Sequence, residues 1–196
     1  HAGRAISATV DVTDRAQVRA MIDRTVATFG RLDVKFNNAG VNKPMNFMDV
    51  TEDNWNFIMG VNGMGCMIGM QEAARQMIAQ GTGGKIINTA SIAAFDGQKG
   101  QSAYAASKGG IVGLSLPMAR DLAREGIRVM AIAPGIILTP MLTGLPQDVQ
   151  DSLAQDVTCP KRLGRPEEFA ALARFIVECD YLNGDVIRLD GALRMQ

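Results

Sequence analysis

The sequence lacks the features typical of disulfide-rich, zinc-binding, nucleic-acid-binding and membrane proteins. Its three cysteines, Cys66, Cys159 and Cys179, are odd in number and show no C-x-x-C spacing. That argues against a disulfide framework or a zinc site and suits a reducing compartment, so we expect a cytoplasmic protein without bound metal. Basic and acidic residues number 20 each, so charge gives no reason to expect nucleic acid as a partner. No apolar run approaches the ~20 residues that span a bilayer, so we expect no membrane contact.

What remains is typical of one globular domain over residues 1–196, with 47% apolar and 20% charged residues. Short apolar runs predict five strands, at 5–10, 32–36, 85–90, 127–133 and 185–189. Stretches with apolar residues at helical spacing alternate with these runs. Such alternation indicates an α/β fold with a parallel sheet covered by helices on both faces.

Capping residues and glycines predict where the helices begin and end. Thr13 or Asp14 is placed to cap the first helix, and Gly30 to end it. A helix at 102–125 follows the third strand, and Pro166 begins the last helix. The segment 139–161, with prolines near both ends and a short helix inside, is typical of a loop that covers a substrate.

A long helical stretch at 52–79 contains more glycine than a helix tolerates without a reason. Each glycine costs roughly 1 kcal/mol relative to alanine, and the four are Gly60, Gly63, Gly65 and Gly69. Close packing against a neighbouring element, or a local kink near Asn62, would explain them. The methionines of this stretch favour helix packing or a subunit interface over a ligand pocket.

Three side chains with complementary chemistry follow the third strand. Ser91 stands at the strand end, and Tyr104 and Lys108 lie four residues apart, on one face of the predicted helix. A hydroxyl, a phenol and an ammonium group brought together can move a proton at a carbinol or carbonyl oxygen. Taken singly, each residue has an ordinary structural explanation: a loop cap, a half-buried tyrosine, a surface lysine.

Ligands of parallel sheets bind beyond the carboxyl ends of the strands. Asp11, Asn38, Ser91 and the Pro134-Gly135 turn each follow a predicted strand. We therefore expect the binding site at this end of the sheet.

An ordered set of motifs resembles the short-chain dehydrogenase/reductase family over nearly the whole chain. The motifs are Asp11-Val12, NNAG at 37–40, Asn62 with Gly65, Ser91 thirteen residues before Tyr104, Lys108, APGIILTPM at 133–141 and NGDVIRLDG at 183–191. The resemblance implies a Rossmann-like, doubly wound parallel sheet. It also implies reversible hydride transfer between a nicotinamide dinucleotide and a secondary alcohol.

The two halves of the chain resemble different branches of that family. From about Ala93 onward, and in the loop LTGLPQDVQDSLAQDVTCPKRLGRPEE, the chain is similar to type-2 3-hydroxyacyl-CoA dehydrogenases. The middle, from NKPMNFMDVTEDNW to QMIAQGTGGKIINTAS, is more similar to sorbitol or xylitol dehydrogenases. The loop shapes the substrate pocket, so we favour a 3-hydroxyacyl-CoA-type substrate, with a polyol as the alternative.

The resemblance also implies roles for individual residues. Tyr104 would exchange the proton with the substrate, Ser91 would hold the substrate oxygen, and Lys108 would lower the pKa of Tyr104 and hold the nicotinamide ribose. Asn62 would hold a water molecule that links Lys108 to solvent. The cofactor contacts would come, besides Tyr104 and Lys108, from Asp11, Val12, Asn38, Ala39, Gly40, Ile137 and Thr139.

The family's first βαβα segment, with its glycine-rich phosphate turn, is lacking in this sequence. We therefore expect either a fragment or unrecorded upstream residues, and expect the strand at 5–10 to have no neighbour.

The residue that distinguishes NAD from NADP lies in the family's first βαβα segment. Both branches favour NAD, and NADP stays open. A non-catalytic interaction subunit or an inactive fragment is the alternative of another class. The resemblance further implies a homotetramer, with the methionine-bearing helix and the Tyr104 helix at one interface and the C-terminal strand at another.

Overall fold

A computed structural model describes residues 5–144 and 146–195, with side chains except at positions 140 and 141. Its sheet has four parallel strands in the order of the sequence: β1 (Val34–Asn37), β2 (Gly84–Thr89), β3 (Ile127–Pro134) and β4 (Val186–Leu189). The pairing sets Val34 opposite Lys85 and Lys85 opposite Arg128. The four strands match predicted ones to within two residues.

Seven α-helices connect and cover the strands in the described ranges. They are α1 (Arg15–Phe29), α2 (Glu52–Ile58), α3 (Gly65–Gln80), α4 (Ser102–Asp121), α5 (Pro140–Thr143), α6 (Gln147–Gln155) and α7 (Pro166–Glu178). Single 3-10 turns lie at Phe47–Asp49, Ile92–Ala94 and Ala123–Glu125. No helix among the described residues combines the length and apolar character that crossing a membrane requires.

The prediction of a strand at 5–10 is wrong. This segment has no regular secondary structure, and residues 5–9 are exposed. A strand is defined by its ladder of hydrogen bonds, and in the described part of the chain β1 pairs only with β2. An apolar run without a pairing partner therefore stays irregular, although its composition suits a strand.

Helix α1 begins and ends where capping chemistry places it. The Asp14 carboxylate accepts hydrogen bonds from the backbone N–H groups of Ala16 and Gln17, so Asp14 rather than Thr13 is the cap. The hydrogen bonds from Gln17 are the main reason that the pKa of Asp14 lies below its usual value. Gly30 ends the helix in the left-handed region at φ 89°.

The long helical stretch is interrupted around Asn62, as its glycines predict. Between α2 and α3 the residues Met59–Met64 form a π-helical turn, a feature often found at functional sites. At Gly65 an added Cβ would lie 2.8 Å from a Val12 methyl carbon, and at Gly69 it would overlap the Asn37 side chain. Close packing accounts for these two glycines, and the π-helical turn contains Gly60 and Gly63.

Two apolar cores confirm that the sheet is covered on both faces. The larger core packs α1, α3 and α4 against one face, around buried residues such as Met70, Met77 and Val129. The smaller core packs α7 against the other face, where the rings of Phe36 and Phe169 meet edge to face at 5.8 Å. The fold is thus α/β and Rossmann-like.

The segment predicted as a covering loop contains two short helices, α5 and α6, rather than one. Just before it, Ile137 forms a parallel bridge with Gly164, and the Leu138 N–H donates to the Gly164 carbonyl at 2.7 Å. The segment therefore returns to the sheet beside the carboxyl end of β3.

Candidate active site

The sheet and α4 bring the predicted catalytic residues to the carboxyl ends of the strands. Ser91 follows β2 and begins the 3-10 turn at Ile92–Ala94. Tyr104 and Lys108 lie one turn apart on α4, which packs against that turn and β3. Asn62 approaches from the π-helical turn, which also contacts α4.

Lys108 is buried, and a hydrogen bond fixes the position of its ammonium group. Its residue is 3% exposed, and its Nζ donates a hydrogen bond of 2.7 Å to the carbonyl oxygen of Thr89 at the end of β2. The Nζ also lies 5.8 Å from the centre of the Tyr104 ring. An ammonium group has three donors, so Lys108 keeps donors for further partners at the strand ends.

Burial shifts the pKa values of this pair in opposite directions. The pKa of Lys108 falls to about 8 because burial disfavours the ammonium form. The pKa of Tyr104 is raised, since burial disfavours the phenolate more than the hydrogen bond with Ser91 favours it. We predicted that Lys108 would lower the pKa of Tyr104; in the protein without ligand the pKa is raised overall, because desolvation is the largest effect.

Ser91 has its hydroxyl oxygen fixed by the turn that it begins. The oxygen accepts a 3.1 Å hydrogen bond from the Ala93 N–H, and the residue is 9% exposed. Because that bond uses the oxygen as an acceptor, the hydroxyl hydrogen can still be donated to a ligand. The position next to Tyr104 suits a group that holds a substrate oxygen.

Asn62 holds the loop after β1 through its side-chain amide. Its Oδ1 accepts from the Val41 N–H at 2.8 Å, and its Nδ2 donates to the Val41 carbonyl and to the Ser107 hydroxyl, both at 2.9 Å. Ser107 in turn donates to the Tyr104 carbonyl at 2.7 Å. Asn62 thus ties the loop to α4 at Tyr104, and its role in holding a water molecule stays a prediction.

A cleft near the carboxyl end of β1 contains three of the predicted cofactor residues. Val12, Asn38 and Ala39 line it, and its volume is about 160 Å³. At Gly40 an added Cβ would lie 3.4 Å from both the Lys108 Nζ and the Asn62 Oδ1. Glycine therefore keeps the approach to Lys108 open.

Three other predicted cofactor residues, Asp11, Ile137 and Thr139, lie outside the lining of this cleft. The Asp11 carboxylate accepts hydrogen bonds from the N–H and the hydroxyl of Thr13, at 2.9 and 2.8 Å. Ile137 lines a separate cavity of about 230 Å³. Thr139 is exposed at the start of α5 and lines neither cavity. In the described ranges, no group of three side chains could hold a metal ion.

Comparison with known proteins agrees with this geometry. Residues 1–193 match a family profile described as enoyl-(acyl carrier protein) reductase, one of the short-chain dehydrogenase/reductase profiles. The 3-hydroxyacyl-CoA dehydrogenase type-2 of Homo sapiens is 48% identical over 97% of this chain and 77% of its own length. That of Rattus norvegicus is 46% identical over 99% of this chain and 78% of its own length. The 3-oxoacyl-(acyl-carrier-protein) reductase FabG of Thermotoga maritima is 37% identical over 94% of this chain and 75% of its own length.

The chain belongs to the short-chain dehydrogenase/reductase family. It is accordingly an NAD(P)-dependent oxidoreductase that interconverts a secondary alcohol and a ketone.

The structure of this short-chain dehydrogenase/reductase also shows polar residues that the sequence did not single out. Asn88 is fully buried on β2, where its Oδ1 accepts from Asn37 at 2.9 Å and its Nδ2 contacts the Met70 sulfur at 3.1 Å. Lys35 lines the cleft beside Cys66, and burial lowers its pKa. The period of two along β1 places Lys35 and Asn37 on one face. This alternation could have identified these two residues from the sequence.

Cys66 lines the same cleft without being a reactive thiol. Burial raises its pKa to about 11, more than the nearby ammonium groups of Lys108 and Lys35 lower it. Because the thiolate is the nucleophile, this cysteine behaves as a buried apolar residue. The sequence favoured that interpretation for all three cysteines, but Cys159 is exposed and Cys179 only partly buried, so the interpretation is wrong for Cys159.

Proposed function

We propose that this enzyme uses NAD to interconvert 3-hydroxyacyl-CoA-type thioesters and the corresponding 3-oxo compounds. The observation that carries the proposal is the buried Lys108 ammonium beside Tyr104, with the Ser91 hydroxyl next to the phenol. The substrate class rests on the relatives named 3-hydroxyacyl-CoA dehydrogenase type-2, which are 45–48% identical to this chain.

The protein residues carry out the proton transfer at the reacting oxygen. Ser91 donates a hydrogen bond to the substrate oxygen and holds it against the Tyr104 phenol. In the reductive direction Tyr104 gives its proton to that oxygen, and in the oxidative direction it takes the proton from the alcohol. Lys108, cationic below about pH 8, favours the phenolate that reduction leaves on Tyr104.

The nicotinamide ring, when bound, supplies the hydride acceptor or donor. The adenosine part of the cofactor would lie along the cleft at Val12, Asn38 and Ala39, beside Gly40. The free donors of Lys108 suit the ribose hydroxyls, Asp11 suits the adenine side, and Ile137 and Thr139 suit the carboxamide. We favour NAD over NADP because the branches that the sequence resembles favour NAD.

A polyol or small diol is the second candidate substrate. The middle of the sequence is similar to polyol dehydrogenases, and the meso-2,3-butanediol dehydrogenase of Serratia marcescens is 34% identical over 96% of this chain. An acyl-CoA favours apolar walls, whereas a polyol favours side-chain hydrogen-bond partners. Phe95, 48% exposed next to the Ser91 turn, provides apolar surface that favours the thioester.

The test is a spectrophotometric assay of NADH formation with 3-hydroxybutyryl-CoA, sorbitol and xylitol, repeated with NADP. We expect turnover with the thioester and NAD. Tyr104→Phe should lower kcat by about a thousandfold, within the usual range of general acid–base catalysis, while NAD binding measured by calorimetry is retained. Turnover of polyols alone would establish the second candidate, and a fully active Tyr104→Phe enzyme would remove Tyr104 from the mechanism.

We further propose that the enzyme works as a cytoplasmic homotetramer. Exposed apolar side chains support the assembly. Phe57 on α2, Met64 before α3, Leu116 on α4 and Phe175 on α7 are about half exposed, and Tyr181 after α7 is almost fully exposed. The family resemblance assigns subunit contacts to the methionine-bearing helix, the Tyr104 helix and the C-terminal strand, and we expect these exposed side chains to contribute to such contacts.

A further inference from the structure

A cluster of charges joins the turn after Ser91 to the last strand of the sheet. Arg188 on β4 donates from Nη2 to the Asp96 carboxylate at 2.6 Å and from Nε to the Asp190 carboxylate at 2.7 Å. The Arg188 side chain is 25% exposed, and those of Asp96 and Asp190 are 20% and 9% exposed. One guanidinium group thus bridges two carboxylates that are far apart in sequence.

Further contacts fix the orientation of this guanidinium group. Its Nη2 also donates to the Leu193 carbonyl at 3.2 Å, and its Cζ lies 5.1 Å from the centre of the Phe95 ring. Arginine presents a rigid fork of donors, so one side chain can hold two carboxylates and a ring at fixed angles. Such partly buried, charge-assisted bonds count for more than the exposed pairs elsewhere on the surface.

The Asp96 end of the bridge lies at the far end of the turn that begins at Ser91. The N–H groups of Phe95 and Asp96 both donate to the Ile92 carbonyl at 2.9 Å, and the Ala94 N–H donates to the Ser91 carbonyl at 3.1 Å. The Ala93 N–H holds the Ser91 hydroxyl oxygen. The direction of that hydroxyl therefore depends on a turn whose far end Arg188 holds.

The Asp190 end lies beneath the loop that follows β3. An added Cβ at Gly135 would lie 2.9 Å from the Asp190 Cα, and the Gly135 N–H donates to the Leu189 carbonyl at 2.9 Å. Asp190 also lines the cavity that contains Ile137. The bridge therefore connects the Ser91 turn with the loop that carries Ile137.

We propose that Arg188 is a positioning residue of this enzyme. Through Asp96 and Asp190 it fixes the Ser91 turn relative to the loop after β3. The inference rests on the proposed function, in which Ser91 holds the reacting oxygen. Since Arg188 acts through Asp96, its loss weakens the alignment of Ser91 rather than the binding of substrate.

The kinetic test compares variants at both ends of the Asp96 bond. Arg188→Gln should lower kcat by about tenfold with KM within about twofold, because misplaced catalytic groups cost rate more than affinity. Asp96→Asn should lower kcat similarly. The double variant should have the same kcat as Arg188→Gln alone, because both single variants remove the bond between Arg188 and Asp96. Arg188→Lys, which keeps the charge without the fork, should recover part of kcat.

Arg174→Gln is the matched control. Arg174 pairs with Glu178 at 2.7 Å on the exposed surface of α7, so its removal also breaks one arginine–carboxylate bond but should leave kcat unchanged. A kcat of Arg188→Gln within twofold of wild type would overturn the proposal, as would fully additive losses in the double variant.

Hydrogen exchange gives a readout that does not depend on turnover. In Arg188→Gln and Asp96→Asn the amides of residues 93–96 should exchange at least about tenfold faster, while those of β3 keep their wild-type rates. Equal acceleration in β3 would indicate general destabilisation and contradict the proposal. A wild-type enzyme inactive on every substrate would refute the proposed function, whereas unchanged exchange at 93–96 would refute the positioning role.

Discussion

At the residue scale, burial sets the protonation of the two groups on which the chemistry depends. Tyr104 holds its proton more tightly than a free tyrosine, and Lys108 loses its proton near pH 8. The protein without ligand therefore contains a neutral phenol beside an ammonium group at neutral pH. In this protonation state the Tyr104 phenol can donate a proton to the substrate oxygen, as reduction of a ketone requires.

The pH profile of reduction should report the charge of Lys108. In the free enzyme kcat/KM should stay level up to about pH 8 and decrease above it, as Lys108 loses the charge that stabilises the Tyr104 phenolate. Tyr104 remains protonated through this range because its pKa is raised above 10.0. Lys108→Arg should lower the rate but move the decrease to much higher pH, since arginine titrates above about 12.

The control for this profile is Lys85→Arg, at the amino end of β2 and remote from Tyr104. It should keep the wild-type decrease above about pH 8. An unchanged decrease in Lys108→Arg would assign the titration to another group and contradict the role of Lys108.

The same buried charge should cost the enzyme stability. The pKa of Lys108 in the folded state, about 8, lies below the ordinary lysine value of 10.5, so between these values the unfolded chain binds more protons. Stability from this group therefore rises as pH increases from about 8 to 10.5. Lys108→Met, which has no charge to bury, should be more stable at pH 7 by up to about 3 kcal/mol, at roughly 1.4 kcal/mol per pH unit.

Chemical denaturation of both proteins at pH 7 and pH 10 would measure this difference. It should shrink at pH 10, where the wild-type lysine is mostly neutral in the folded state. A Lys108→Met protein that is less stable at pH 7, or a difference independent of pH, would show that the Thr89 hydrogen bond outweighs the burial cost.

At the scale of elements, two glycines in the α2–α3 stretch differ in whether close packing requires them. Gly69 faces the Asn37 side chain on β1, where an added Cβ would overlap it, whereas an added Cβ at Gly60 meets nothing within 4 Å. Gly69→Ala should therefore lower the free energy of unfolding by about 1–3 kcal/mol through overpacking. Gly60→Ala should raise it by about 0.5–1 kcal/mol, because it reduces the freedom of the unfolded chain.

Thermal and urea unfolding of the two variants would decide between these effects. Because the substitution is the same in both, helix propensity alone predicts the same sign for both. Equal stabilisation would show that the contact between Gly69 and Asn37 can relax without cost, and would remove close packing as the reason for that glycine.

The elements also show which features a sequence can predict. The four paired strands and the helix end at Gly30 follow from local composition, which left the first cap open between Thr13 and Asp14. The glycines predicted close packing or a local kink near Asn62. The segment 5–10 was not predictable, because a strand depends on a neighbour as well as on its own residues. The direction of the Tyr104 pKa shift was missed for a similar reason: sequence places Lys108 nearby, but only packing shows how much water both groups lose.

At the scale of the whole molecule, small residues form one exposed face of α4. Ala106, Gly110 and Gly113 are exposed at helical spacing, and Leu116, 45% exposed, follows them. Added Cβ atoms at Gly110 and Gly113 would meet nothing within 4 Å inside the subunit. Small side chains let a second helix approach closely, so this face suits a contact with another copy of α4 across a two-fold axis.

Gly113→Glu should therefore disrupt the proposed tetramer without disturbing the subunit. The new side chain has open space within its own chain, but two carboxylates facing each other across a two-fold axis would repel and would be desolvated. Light scattering after size-exclusion chromatography should show wild-type tetramers and Gly113→Glu dimers or monomers, with circular dichroism unchanged. Ala20→Glu, on the exposed side of α1, adds the same charge elsewhere and should remain tetrameric. A tetrameric Gly113→Glu protein would place the subunit contact on a face other than that of α4.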